Sequence, residues 1–327
     1  MNERDDHDNE TAARERVRRL IESPSYKQAD EDKAFLLRPE MCGVRLQLDF
    51  WKTEEILQRE GIDHTVVVYG STRLLEPRAA EKRLSMAQHA LSAAPSNPDN
   101  VRAASIAKRL LDKSRYYQIA REFGRIVASR CATAEIPRLA VVTGGGPGIM
   151  EAANRGAFEW GGPSIGLNIS LPHEQLPNPY ISPDLCFKLH YFAIRKMHLL
   201  ERAKGAVFFP GGYGTCDELF EVLTLLQTGK IPSLPVVLVG ERYWRRAIDF
   251  DFLIEEGMIA VSDAKLLTFA ESADEIWDAI CRWYGTDGAV CDPMNRAVRP
   301  EGVEGNCKGT APSNGAAPEG ASVPIVS

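Results

Sequence analysis

This chain of 327 residues is poor in everything that marks a membrane, a secreted scaffold or a metal centre. No apolar run approaches the ~20 residues that a helix needs to cross a bilayer. The opening stretch MNERDDHDNETAARERVRRL lacks the apolar core of a signal peptide, so the expectation is a cytoplasmic protein. Its seven cysteines are scattered, with no CxxC pair and no zinc spacing, and read as reduced thiols. His190 and His198 stand too isolated to suggest a metal, so the expected metal is none. A formal net charge of −6 disfavours a non-specific nucleic-acid surface.

The familiar nucleotide signatures are missing too. GGGPGIM at 144–150 lacks the spacing of a dinucleotide loop, because Ile149 stands where a third glycine belongs. The next apolar run, SIGLNIS, ends without the acid that would hold a ribose 2′-hydroxyl. No glycine turn is followed by Gly-Lys-Ser/Thr, which excludes a Walker P-loop. A mononucleotide or sugar phosphate suits these turns better than NAD or a triphosphate.

What the chain does have is alternation. Apolar, β-branched runs occur at 65–70, 138–144, 164–170, 185–190, 205–211, 235–240 and 265–270. Helical patterns lie at 114–131, 148–160, 191–204, 215–229, 242–256 and 272–284. Near-continuous apolar strands alternating with helices predict an α/β fold, a Rossmann-like open parallel sheet with helices on both faces. Residues 76–114 are too long for a βα loop and predict a helical insertion after the first strand, broken at APSNPDN. The expected division is a flexible lead and N-terminal helical extension at 1–61, a catalytic nucleotide-binding domain at 62–284 and a disordered tail at 285–327, rich in Gly, Ala, Pro and Ser.

Three of the predicted strands run into turns of special composition: Gly70-Ser71 after the first, Gly144 to Gly148 after the second, and Pro210-Gly211-Gly212-Tyr213-Gly214-Thr215 after the fifth. Ligands of open parallel sheets sit beyond the carboxyl ends of strands, and a following helix N-terminus suits a phosphate. Glu218 lies three residues after Thr215. It is either the far end of a capping box begun by Thr215 or a carboxylate turned into the cleft. Arg195 and Lys196 are either a solvated basic pair or part of the same cleft. Cys216 sits near a helix start with no general base in view to activate it.

These residues resemble those of a known family. PGGYGTCDE at 210–218 is similar to the PGGxGTxxE signature of the LOG ("Lonely guy") phosphoribohydrolases, once labelled lysine decarboxylases. TGGGPGIMEAANRGA at 143–157 looks like that family's other glycine loop, and IRK at 194–196 falls where the family has an Arg-Lys pair. The resemblance covers roughly residues 62–284. It implies hydrolysis of a nucleoside 5′-monophosphate, AMP or a cytokinin riboside monophosphate, to free base and ribose 5-phosphate, without a cofactor. It implies Arg195 and Glu218 as the catalytic pair. Gly211, Gly212, Gly214 and Thr215 would hold the phosphate, and Gly70, Ser71, Gly144, Gly145, Gly146, Gly148 and Lys196 would belong to the substrate site. It also implies a homodimer or higher homo-oligomer.

Three departures accompany it. Thr143 and Glu151 replace glycines of the plant-type loop, Phe192-Ala193 stand near the point where many members have Met-His just before the Arg-Lys pair while Met197-His198 follow it here, and the 76–114 insertion and N-terminal segment are additions. The alternative function is a nucleotide or molybdenum cofactor carrier without turnover. A decarboxylase would need Lys196 to form a Schiff base with pyridoxal phosphate.

Overall fold

Seven strands, all parallel, make one sheet in the order β4-β3-β2-β1-β5-β6-β7. The computed structural model describes residues 3–130, 139–171 and 176–285. The strands are β1 (His64–Tyr69), β2 (Leu139–Thr143), β3 (Ser164–Ile169), β4 (Cys186–Leu189), β5 (Ala203–Phe208), β6 (Val236–Val239) and β7 (Leu267–Ala270). Each overlaps one of the seven apolar runs, with β1 and β5 beginning one and two residues ahead of theirs, at His64 and Ala203. Val66, Val67 and Val68 in β1 and all of β6 are fully buried, because helices cover both faces and neither side of a central strand meets water. The fold is Rossmann-like.

Thirteen helices accompany the sheet among the described residues: α1 (Glu3–Ile21), α2 (Lys33–Leu36), α3 (Cys42–Arg59), α4 (Pro77–Ala93), α5 (Pro98–Asp112), α6 (Arg115–Arg130), α7 (Ile149–Glu159), α8 (Phe192–Glu201), α9 (Tyr213–Gln227), α10 (Glu241–Ala247), α11 (Phe250–Glu255), α12 (Val261–Ala264) and α13 (Ala273–Trp283). On one face Phe123, Ile149, Ile276 and Trp277 from α6, α7 and α13 pack on β1, β2 and β6. On the other, Leu57, Leu199, Leu219 and Trp244 from α3, α8, α9 and α10 pack on the same strands.

The insertion is a helical hairpin, α4 packed on α5. Each helix opens on a proline, and Asn97 caps α5 by accepting from the Asp99 N–H, which is why the APSNPDN break starts a new helix. The single helix expected at 242–256 is two, because Asp249 accepts from the Phe252 N–H and restarts the chain as α11. The lead is helical as α1, and its residues from Val17 to Ile21 are exposed. The tail expected at 285–327 lies outside the described residues beyond Gly285.

The thiols differ from the expectation. Cys42, Cys186 and Cys216 are free, whereas Cys281 on α13 is disulfide-bonded. No helix among the described residues is long and apolar enough to cross a membrane.

Candidate active site

The chain leaves β1, builds outward through β2, β3 and β4, then returns to lay β5 on the other side of β1. That reversal is where adjacent loops part and a ligand crevice opens. A cavity of about 830 Å³ lies there, walled by the turns after β1, β2 and β5. Ser71 N–H donates to the Pro210 carbonyl and Ile149 N–H donates to the Ser71 carbonyl, so the three turns are tied into one wall.

The helix after β5 begins at Tyr213, with Gly212 as its cap and no side-chain cap bond. The capping box of Thr215 and Glu218 therefore does not form. Thr215 lies inside the first turn and Glu218 one turn on, both buried and both on the cavity wall. The first intrahelical bond runs from Cys216 N–H to the Gly212 carbonyl, so Tyr213, Gly214 and Thr215 have N–H groups with no acceptor inside the helix. A Cβ at Gly212 or Gly214 would meet nothing within 4 Å, so neither glycine is required by packing. A Cβ at Gly211 would fall 2.0 Å from Thr215 Oγ1. The Tyr243 hydroxyl from α10 donates to the Gly211 carbonyl and fixes that turn from outside.

Arg195 reaches the same cavity from α8. Its Nε donates to the Leu167 carbonyl at 2.8 Å and Nη2 to the Gly144 carbonyl at 3.5 Å, and it pairs with no carboxylate among the described residues. A Cβ on Gly144 would lie 1.9 Å from Arg195 Nη2, so glycine there is what lets the guanidinium in. Burial pulls the Arg195 pKa down while Glu218 and Tyr69 act in the opposite sense. Glu218 is 7% exposed and its Oε2 has no hydrogen-bond partner. Burial pushes its pKa up to about 7, against the pull of Lys196 and Arg195. A carboxyl poised near neutrality beside a desolvated guanidinium is an arrangement suited to chemistry rather than to stability.

Gly70, Ser71, Gly144, Gly211, Gly212, Gly214, Thr215, Arg195 and Glu218 all line the cavity, while Gly145, Gly146, Gly148 and Lys196 do not. Gly145 and Gly146 are held in a buried network. Gly145 N–H donates to Thr143 Oγ1, Asn178 N–H donates to the Gly145 carbonyl and Asn178 Nδ2 to the Gly146 carbonyl. Thr143 Oγ1 in turn donates to Asn154 Oδ1 at 2.7 Å. Gly148 shapes the turn from a positive φ of 74°, with the Ser71 carbonyl 2.4 Å from where its Cβ would be. Lys196 pairs with Asp217 at 2.9 Å and Glu221 at 2.7 Å and braces α8 against α9.

A family model described as "Possible lysine decarboxylase" matches residues 150–280. The chain is 30% identical over 170 residues to the cytokinin riboside 5′-monophosphate phosphoribohydrolase LOG1 of Arabidopsis thaliana, covering 50% of this chain and 75% of that protein. It is 28% identical over 169 residues to LOG3 of the same plant, covering 50% and 74%. This chain belongs to the LOG family. Among solved structures, TM1055 aligns at TM-score 0.38 and 22% identity over 65% of this chain and 95% of that one. The molybdenum cofactor binding protein of Rippkaea orientalis aligns at TM-score 0.35 and 21% identity over 50% and 85%.

In this LOG-family chain, two departures from the plant-type loop have structural work. Thr143 supplies the hydroxyl that holds Gly145, and Glu151 accepts from the Tyr117 hydroxyl at 2.8 Å. Several wall residues carry no signal in the motifs. Tyr69 ends β1 with its hydroxyl buried and unpartnered, its ring stacked on Phe208 at 4.6 Å. Burial and the nearby Glu218 and Glu221 push its pKa well up, so it stays a neutral phenol. Lys113 and Leu110 come from the insertion and Tyr243 from α10, both far along the chain from the glycine turns. Tyr213, inside the PGGYG turn, also lines the cavity.

His198 is less isolated than its sequence context suggests. Its Nδ1 lies 3.9 Å from both Glu54 Oε2 and Glu201 Oε2, and these three are the group among the described residues with the closeness a metal needs. Arg202, however, already binds both oxygens of Glu54, so a cation is in place there. His190 is bound to Asp49 through its backbone N–H and Nδ1.

Proposed function

We propose that the domain within residues 62–284 hydrolyses the N-glycosidic bond of a nucleoside 5′-monophosphate, as the names of its plant relatives describe for them. The observation that carries this reading is the meeting of Arg195 and Glu218 on one glycine-walled cavity, with the carboxyl held near pH 7. The 5′-phosphate docks against the free N–H groups of Gly214 and Thr215 at the positive end of α9. Glu218, one turn further along α9, then stands at the ribose.

Cleavage of the glycosidic bond builds positive charge on the sugar ring. The Glu218 carboxylate stabilises that charge and orients a water molecule. The water oxygen bonds to C1′ and its proton passes to Glu218. The C1′–N bond breaks, and the base leaves with the electron pair and takes up a proton from solvent. Arg195, aimed by two backbone carbonyls and charged throughout, holds the substrate in register. Tyr69, Met150 and Phe192 offer the apolar wall for the base. A second copy of the chain belongs to the same proposal, because Tyr213 and Phe192 stand 97% and 52% exposed at the rim, where an adjoining subunit would cover them. A decarboxylase is disfavoured by Lys196. Burial lowers its pKa, but Glu221 and Asp217 outweigh that and raise it, the reverse of what an amine nucleophile needs.

The test is to incubate the full chain with AMP, CMP, GMP, UMP and a cytokinin riboside monophosphate and to follow free base by chromatography. Base released from at least one of them supports the proposal. Tight nucleotide binding with no base from any would replace it with a carrier.

A further inference from the structure

We propose that the chain has a second anion site, a basic groove on the outer side of the phosphate turn that takes an oligophosphate. The groove is a cavity of about 690 Å³ between the end of α5, the start of α6 and α10. Five cations line it, Arg109, Lys113, Arg115, Arg242 and Arg246, against one carboxylate, Asp112. In a chain with a formal net charge of −6, this is a local inversion of sign.

Ordinary explanations for surface cations cover only part of it. Arg109 and Lys113 at the end of α5 and Arg246 at the end of α10 suit the negative ends of those helices. Arg115 and Arg242 do not, because they open α6 and α10, where a cation meets the positive end. Ion pairing does not account for the cluster either. Arg109, Lys113, Arg242 and Arg246 pair with no carboxylate among the described residues, and Arg115 alone has a partner, Glu271 at 3.3 Å. Unpaired like charges round one cavity repel one another, and a multivalent anion relieves that repulsion at several of them at once. The groove is also partly built in advance. Arg115 lies over the Tyr116 ring at 4.8 Å and donates to its hydroxyl at 3.0 Å. Gly240, with φ of 87°, makes room for that same hydroxyl, which would stand 2.4 Å from a Cβ there.

The ligand class follows from size and charge. Guanidinium groups on three helices around such a volume suit several phosphates in a chain, as in a nucleoside triphosphate or inorganic tripolyphosphate, better than a single monoester. Lys113 and Tyr243 line both this groove and the first cavity, and Tyr243 holds the Gly211 carbonyl, so the two sites share a wall.

The probe is sodium tripolyphosphate, titrated calorimetrically into the full chain at low salt, with the Arg109→Ala/Arg246→Ala and Arg195→Ala variants in parallel. Neither Arg109 nor Arg246 touches the first cavity. The expected result is binding that weakens at least tenfold in the double variant, survives Arg195→Ala and falls steeply with added sodium chloride. No heat from the wild-type chain would overturn the proposal. So would binding that the double variant retains and Arg195→Ala loses, since the anion would then occupy the first cavity. The readout needs no turnover, so a chain that releases no base from any monophosphate leaves this test intact.

Discussion

Glu218 is where function and stability pull apart. Its carboxyl is pushed up to about 7 in the folded chain, chiefly by burial, against an ordinary value near 4.5. Between those two values the folded state holds the proton that the unfolded state releases. Stability is therefore full below pH 4.5 and falls as pH rises through 7. Glu218→Gln removes that loss. The variant should be as stable as wild type at pH 4 and more stable by about 1–3 kcal/mol at pH 8, measured by urea unfolding at both. The same group sets the pH dependence of the reaction. Because the carboxylate is the working form, kcat/KM should rise as pH passes through 7, a limb that the residual activity of Glu218→Gln lacks. A second residue-scale test concerns Gly144. Its substitution by Ala puts a methyl group 1.9 Å from Arg195 Nη2 and displaces the guanidinium. The expected effect is a fall in kcat/KM of about 100-fold with the melting temperature little changed.

At the scale of elements, the start of α9 is the part that a phosphate would touch. Gly214→Ala is expected to raise helix stability by up to about 1 kcal/mol, since alanine is the better helix former. The same methyl group projects into open space where the phosphate is proposed to dock, so KM for a monophosphate should rise about tenfold with kcat nearly unchanged. A melting curve and a saturation curve on one variant check both signs. This helix also shows where the sequence could be read and where it could not. The apolar run of β5 and the glycines after it announce a strand and a ligand turn. The start of the helix within GGYGT cannot be read from propensity, because several of its residues are acceptable caps. Placing the start at Tyr213 rather than after Thr215 turns Glu218 from a capping partner into a wall residue. Likewise the break between α10 and α11 depends on Asp249 winning a capping bond inside a continuous helical pattern. Lys113 and Tyr243 were invisible because they reach the cavity from elements distant in the chain, and only packing brings them there.

Across the whole molecule, α3 is tied to the sheet by a buried ion pair as well as by the apolar packing of Leu57. Arg202, between α8 and β5, binds both carboxylate oxygens of Glu54 on α3 and the carbonyl of Ile62 at 2.9 Å. The two side chains are 12% and 9% exposed. Hydrogen bonding from Arg202 holds the Glu54 carboxyl below its ordinary value in spite of burial. Glu54→Ala leaves the guanidinium buried without its counter-ion, at a cost of about 3–5 kcal/mol in urea unfolding. A cost below 1 kcal/mol would mean that α3 is held by its apolar contacts instead. The loops of β1, β2 and β5 are brought together by the reversal of strand order, and the strand runs were legible because a parallel sheet covered on both faces leaves few polar positions in its strands. The order of those strands was not, since it depends on crossovers that composition does not record.

The most direct measurement is a side-by-side assay of base release and nucleotide binding on AMP and a cytokinin riboside monophosphate, using the wild-type chain, Arg195→Ala and Glu218→Gln. The wild-type chain should form free base and ribose 5-phosphate in equal amounts. Glu218→Gln should bind the monophosphate with similar affinity but release base at least 100-fold more slowly, and Arg195→Ala should lose both rate and affinity. A Glu218→Gln chain that turns over like wild type would contradict the account.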